Sequence, residues 1–117
     1  MRIGELAKRA KVPVDTIRFY EKRGVIPAPK RAVGGYRSYT ERDLTALRRI
    51  AYAKGLGFTL AEIKDALPAW LDGAVKPGAR LDKLREKLTE VRRAEAALAR
   101  RREALEAQIR AIEITGL

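Results

Sequence analysis

Apolar side chains recur along this chain at helical spacing, and proline or glycine interrupts them at short intervals. Ile3, Leu6, Ala7 and Ala10 follow the i, i+3, i+4, i+7 rhythm of a helix with one buried face, with Gly4-Glu5 at its start. Lys11-Val12-Pro13 breaks that rhythm, and Pro13, with a fixed φ and no amide donor, suits the first turn of a second helix. Val14 and Ile17 give the second helix its inner side, and Gly24 ends it after Lys22-Arg23. The pair predicts a helix-turn-helix. Val25-Ile26-Pro27 reads as a short strand or extended exit. Gly34-Gly35 permits a tight turn before Tyr36-Arg37-Ser38-Tyr39, whose alternation predicts a strand, so a small β wing follows, with Tyr39 as core between wing and third helix. Thr40 and early acids open that third helix, with Leu44, Leu47, Ile50 and Ala51 as its apolar face and Gly55 and Gly57 as its end. A fourth helix is expected from Thr59, capped with Glu62, to Leu67, closed by Pro68.

Pro68, Gly73, Pro77 and Gly78 mark residues 68–80 as a linker between a head, residues 1–67, and a different kind of segment, residues 81–114. Trp70 is expected as an apolar plug between the two. From Leu81 onward, Leu81, Leu84, Leu88, Val91, Leu98, Leu105, Ile109 and Ile112 take the a and d positions of a heptad frame, interrupted by Glu95 and Arg102. Such a seam needs a cover. A helix of about thirty residues spans on the order of 45 Å, more than a small head can shield, so a second copy is the better cover than the chain's own head. Pairing residues whose numbers sum to 193 sets Leu81 on Ile112, Leu84 on Ile109 and Leu88 on Leu105 of an antiparallel partner, with the midpoint at Ala96-Ala97. Glu95 and Arg102 are then expected to pair reciprocally between chains. A parallel pair would instead stack Arg102 on Arg102 and Glu95 on Glu95.

The 117 residues carry a formal charge of +11, which favours a polyanionic partner, and the surplus is larger in residues 1–72 than after them. Nucleic acid fits better than a membrane surface, because the long helix is flanked by charge on almost every side rather than carrying a broad apolar face. The chain has neither Cys nor His, which removes thiolate or imidazole metal sites, disulfides and Ser-His or Cys-His nucleophile pairs. The acids lie scattered along helix faces without a convergent pair, so no enzyme and no cofactor is expected. No signal peptide or membrane-length apolar run is evident, and the cytoplasm is the expected location.

Candidate contacts to double-stranded DNA follow from residue type and place. Arg18 on the second helix can offer a forked pair of donors to a base edge or an adjacent phosphate. Phe19 projects away from Val14 and Ile17 toward DNA, whereas Tyr20 faces either the DNA or the wing. Asp15 and Thr16 open the helix, where a Thr hydroxyl or backbone amide can meet phosphate. Tyr36 and Arg37, lifted by Gly34-Gly35, are placed to grip the sugar-phosphate backbone. Lys11 in the turn and Lys54 beside Gly55 are further phosphate candidates, each also readable as a solvated surface lysine.

With the first helix and turn, Thr16-Ile17-Arg18-Phe19-Tyr20-Glu21, the Gly34-Gly35-Tyr36-Arg37-Ser38-Tyr39 wing and Gly55-Leu56-Gly57-Phe58-Thr59-Leu60-Ala61-Glu62-Ile63 in this order, residues 1–67 resemble the MerR family of bacterial transcription regulators. The long helix fits that family by architecture. The resemblance implies a mainly α fold: a winged helix-turn-helix head, then a long helix forming an antiparallel coiled-coil homodimer. It implies a regulator that binds a pseudo-palindromic promoter spacer and bends and untwists it, reaching RNA polymerase indirectly through promoter geometry. Metal-responsive members carry thiols at the start of the dimer helix, where this chain has Pro77 to Arg80 and no Cys, so soft-metal and iron-sulfur sensing are not expected. Nor is the appended ligand domain of drug-sensing members. An effector in a cleft, a protein or DNA-topology signal, and constitutive action all stay open. An architectural or phage-type accessory protein that bends DNA without promoter activation is the alternative. RNA binding is disfavoured by the lack of an exposed aromatic platform on the wing.

Overall fold

The helices of the head stop at a glycine or an αL residue, and two of the four start at a capping threonine. The computed structural model describes residues 1–116, which divide into two compact units, Met1–Lys76 and a second beginning at Pro77. The first unit contains α1 (Ile3–Ala10), α2 (Val14–Lys22), β1 (Lys30–Arg31), β2 (Arg37–Ser38), α3 (Glu41–Gly55) and α4 (Leu60–Leu71). The second is a single 39-residue helix, α5 (Pro77–Thr115).

The turn between α1 and α2 is Lys11-Val12-Pro13. Lys11 adopts αL geometry at φ 58° and its N–H, like that of Val12, returns to the Ala7 carbonyl. Among the described residues it is the one non-glycine with positive φ. Pro13 then sets the extended backbone from which α2 departs, without a side-chain cap. Both later helices of the head carry full capping boxes, Thr40 with Asp43 and Thr59 with Glu62, each cap contributing about 1 kcal/mol.

Leu6 of α1, Ile17 and Tyr20 of α2, Ile26, Tyr39, and Leu44, Leu47 and Ile50 of α3 make one core with Ile63 and Leu67 of α4. Each fully buried aliphatic side chain contributes about 1.5–3 kcal/mol, so the core fixes how α2 sits beside the wing. The inner face of α3 is completed by Ala46 and Ala53, whereas Ala51, expected there, is exposed. The helical wheel advances past the core at position 51 and returns two residues later.

Three boundaries differ from the sequence reading. The first wing strand is Lys30–Arg31, paired antiparallel with Arg37–Ser38 in the register Lys30 to Ser38. Val25 and Ile26, read as a short strand or an extended exit, form a bend buried in the core. Helix α4 continues through Pro68 to Leu71, because Trp70 and Leu71 pack on the core and offset the roughly 3 kcal/mol cost of an interior proline. Gly73, at φ 68°, ends the turn after it, with the Ala74 N–H on the Ala69 carbonyl. Finally, α5 begins at Pro77, a residue well suited to a first helical position, so helix occupies both ends of the expected 68–80 linker.

Candidate nucleic-acid interface

Burial of Ile17 and Tyr20 turns the opposite side of α2 outward. That side carries Asp15, Arg18, Phe19, Lys22 and Arg23. The Arg18 side chain is 61% exposed, and among the described residues its one ion pair is a loose one with Asp15 at 4.0 Å, so its fork is available to a ligand. Phe19 is exposed too, and the Arg23 guanidinium lies 5.0 Å from its ring centroid, a cation–π contact that steadies both. Tyr20 is 5% exposed and belongs to the core; helix geometry places it one turn beyond Ile17, facing inward, which removes its ring from the DNA-facing set. Thr16 is half-buried and its amide already donates to the Pro13 carbonyl at 3.0 Å, which leaves its hydroxyl as the group it can offer.

The wing is fastened to α2 through Glu21. This carboxylate, 9% exposed, accepts from Arg37 at 3.0 Å and from the Tyr39 hydroxyl. Burial first, and then the hydrogen bond to Glu21, push the Tyr39 phenol up to about 12, so it stays a donor at every physiological pH. Arg37 remains half exposed, oriented by Glu21 at one nitrogen and open on its other side. Tyr39 is thus the core residue expected between wing and α3, and its backbone exchanges hydrogen bonds with that of Met1.

At the wing's outer end, Arg31 donates to the Gly35 carbonyl at 2.7 Å and holds a turn in which Gly34 and Gly35 adopt φ of 101° and 84°. A side chain at either glycine would be strained there. Tyr36 is exposed with the Arg2 guanidinium 4.1 Å over its ring. Between α1, α2 and the wing runs an open groove of about 580 Å³ lined by Ile3, Arg18, Glu21, Lys22, Ala28 and Arg37. Arg18 and Arg37, singled out separately in the sequence, therefore share one groove. Lys11 and Lys54 are exposed and lie outside it.

Several basic side chains of this face were missed. Arg23 stands four residues after Phe19, a spacing that could have revealed the pair. Arg2 reaches Tyr36 across tertiary structure, and Lys64 of α4 lies close over Gly24, where an added Cβ would meet its ammonium at 3.4 Å. No local sequence signal announces either contact.

On α5, the seam side chains Leu81, Leu84, Leu88, Val91, Leu98, Leu105, Ile109 and Ile112 are 39–63% exposed in the single chain. Among the described residues Glu95 makes no ion pair within the chain, whereas Arg102 pairs with Glu106 at 3.3 Å. Among the described residues no group of three His, Cys, Asp or Glu side chains could hold a metal ion, and no helix is long and apolar enough to cross a membrane.

A helix presented by a tight turn, a β wing fastened beside it and a groove lined by arginines of both define a winged helix-turn-helix. The family model described as MerR HTH family regulatory protein matches residues 1–70, and that described as MerR, DNA binding matches residues 44–108. The chain belongs to the MerR family. It is 49% identical over 71 residues to the transcriptional regulator ZntR of Escherichia coli K12, covering 61% of this chain and 50% of that protein. Over 104 residues it is 39% identical to the mercuric resistance operon regulatory protein of Serratia marcescens, covering 84% of this chain and 72% of that one. HiNmlR, a MerR family regulator lacking the sensor domain and solved bound to promoter DNA, superposes with a TM-score of 0.60 at 25% identity, over 98% of this chain and 94% of that chain. The chain spans about half the length of relatives such as ZntR.

Proposed function

We propose that this protein is a cytoplasmic, homodimeric DNA-binding transcriptional regulator that grips a pseudo-palindromic promoter spacer and acts by bending and untwisting it. The observation that carries this reading is the shared groove of Arg18 and Arg37, a major-groove candidate on α2 and a backbone candidate on the wing, with Glu21 of α2 tying Arg37 to that helix. Membership of the MerR family and the promoter-bound relative support it. Arg18 reads a base edge or adjacent phosphate. Tyr36, Arg37, Lys11, the Thr16 hydroxyl and Lys54 hold the sugar-phosphate backbone, Phe19 packs beside it and Asp15 steadies Arg18. The exposed seam of α5 joins two copies antiparallel, numbers summing to 193, and two heads so joined repay a DNA deformation on the order of several kcal/mol with phosphate contacts from both. RNA polymerase is engaged through promoter geometry.

The test is selection of bound genomic fragments followed by footprinting. A protected palindrome within a promoter spacer is expected; protection unrelated to promoters would favour an architectural DNA-bending role. Arg18→Ala should weaken specific binding by roughly 1–3 kcal/mol while sparing random-sequence DNA, and equal losses on both would refute its base-reading role.

A further inference from the structure

We propose that the flank of α5 formed by Arg85, Arg92, Glu106 and Glu113 selects the coiled-coil partner, admitting a second copy of this chain in antiparallel orientation and rejecting parallel pairing. The proposal rests on the antiparallel dimer above. In the heptad frame of the seam, Arg85, Arg92, Ala99, Glu106 and Glu113 occupy the e positions, and Arg80, Lys87, Ala94, Arg101 and Gln108 the g positions. The helix is continuous from Pro77 to Thr115, so one frame runs unbroken through all of them.

An antiparallel pair sets e beside e and g beside g. With numbers summing to 193, Arg85 lies level with position 108 of the second copy, between Glu106 of the partner subunit and Glu113 of the partner subunit. Arg92 lies between Ala99 of the partner subunit and Glu106 of the partner subunit. Every charged neighbour of either arginine along this flank is therefore acidic, and the two-fold axis repeats the arrangement. The e flank is basic in its first half and acidic in its second, a polarity that matches itself only when reversed. In a parallel pair g faces the e of the next heptad, and Arg80 would meet Arg85, leaving Arg101 with Glu106 as the one attractive pair, while Lys87, buried and paired with Glu90, gives Arg92 no opposite charge.

Among the described residues three of the four side chains of this flank are unused by their own helix, whereas Glu106 already holds Arg102 at 3.3 Å and Arg110 at 3.9 Å. Lys83 pairs with Glu86, Lys87 with Glu90, and Arg110 with Glu106. Among the described residues Arg85, Arg92 and Glu113 make no ion pair within the chain, although Asp82, Glu95 and Arg110 each stand three residues away from one of them. Their charges are free for a neighbouring helix.

The experiment uses the full chain and two double variants, Arg85→Glu with Arg92→Glu, and Glu106→Arg with Glu113→Arg. Sedimentation measures self-association, and circular dichroism checks that the helix is retained. Each variant alone sets like charges along the whole flank and should lose about a hundredfold in dimer affinity, whereas an equimolar mixture should form a heterodimer of wild-type affinity. Either variant self-associating as tightly as wild type, or a mixture without heterodimer preference, overturns the proposal. If wild type still cross-links between cysteines introduced at positions 84 and 109, that failure belongs to the flank alone. Tighter self-association of the Arg85→Glu, Arg92→Glu variant would reveal parallel pairing and refute the dimer reading as well.

Discussion

Replacing Tyr39 by Phe removes one hydroxyl from the fastener between wing and α2 and leaves the rest of the ring in place. Glu21, 9% exposed, then keeps Arg37 as a partner but loses the donor that completes its shell. A hydrogen bond to a charged, buried acceptor is worth about 1.5–3 kcal/mol, and no cavity adds to it, so a loss of about 2 kcal/mol is expected. Trp70, the single tryptophan, lies on α4 of the same unit, so its emission maximum in a urea titration of the full chain follows this part of the molecule. The midpoint should fall with an unchanged slope. Alkaline pH supplies a second readout. The folded phenol holds its proton up to about 12 against an ordinary value of 10.0, so the unfolded chain releases it first. Stability from this group is complete below pH 10 and is lost as pH rises toward 12, by about 2–3 kcal/mol. Tyr39→Phe lacks that titration, and the gap between wild type and variant should close over the same interval. A midpoint shift below about 0.5 kcal/mol, or a gap that stays constant from about pH 8 to 11.5, would refute the fastener.

Lys11→Gly should relieve the αL strain of the turn and raise stability by about 1 kcal/mol, while one fewer phosphate contact per head lowers the slope of log affinity against log salt by about 0.9 per contact; a destabilised variant would contradict the turn geometry. Ile50→Ala, at a fully buried position of α3, should cost about 2–5 kcal/mol in the same urea titration. Cysteines placed at Leu84 and Ile109 should form a cross-link between chains on oxidation, and a link from 84 to 84 would contradict the antiparallel register.

Much of the head was legible because its helices carry a 3.6-residue apolar rhythm and explicit punctuation. Leu6, Ile17, Leu44 and Leu47 identify themselves as core, and the two Thr caps fix where α3 and α4 begin. The first wing strand at Lys30-Arg31 escapes the sequence because a two-residue strand has no periodicity, and Val25-Ile26 looks more strand-like. Pro68 misled for a different reason, since local propensity yields to the burial of Trp70 and Leu71 beyond it. At the candidate interface, Arg18 and the wing pair were readable from residue type and position. The acid behind them was not: Glu21 reads as one more solvated helix residue until Arg37 and Tyr39 arrive from a segment far along the chain.

That carboxylate also bears on how long a complex lasts. With Arg37 and Tyr39 tied to α2 through Glu21, the proposed function predicts that the wing and α2 release a bound duplex together, as a single tooth, rather than one contact at a time. On that reading stepwise escape, in which one element lets go while the other holds, should be suppressed, and dissociation is expected as one concerted, slow step. Substitutions on either element then register in residence time far more than in the rate of encounter.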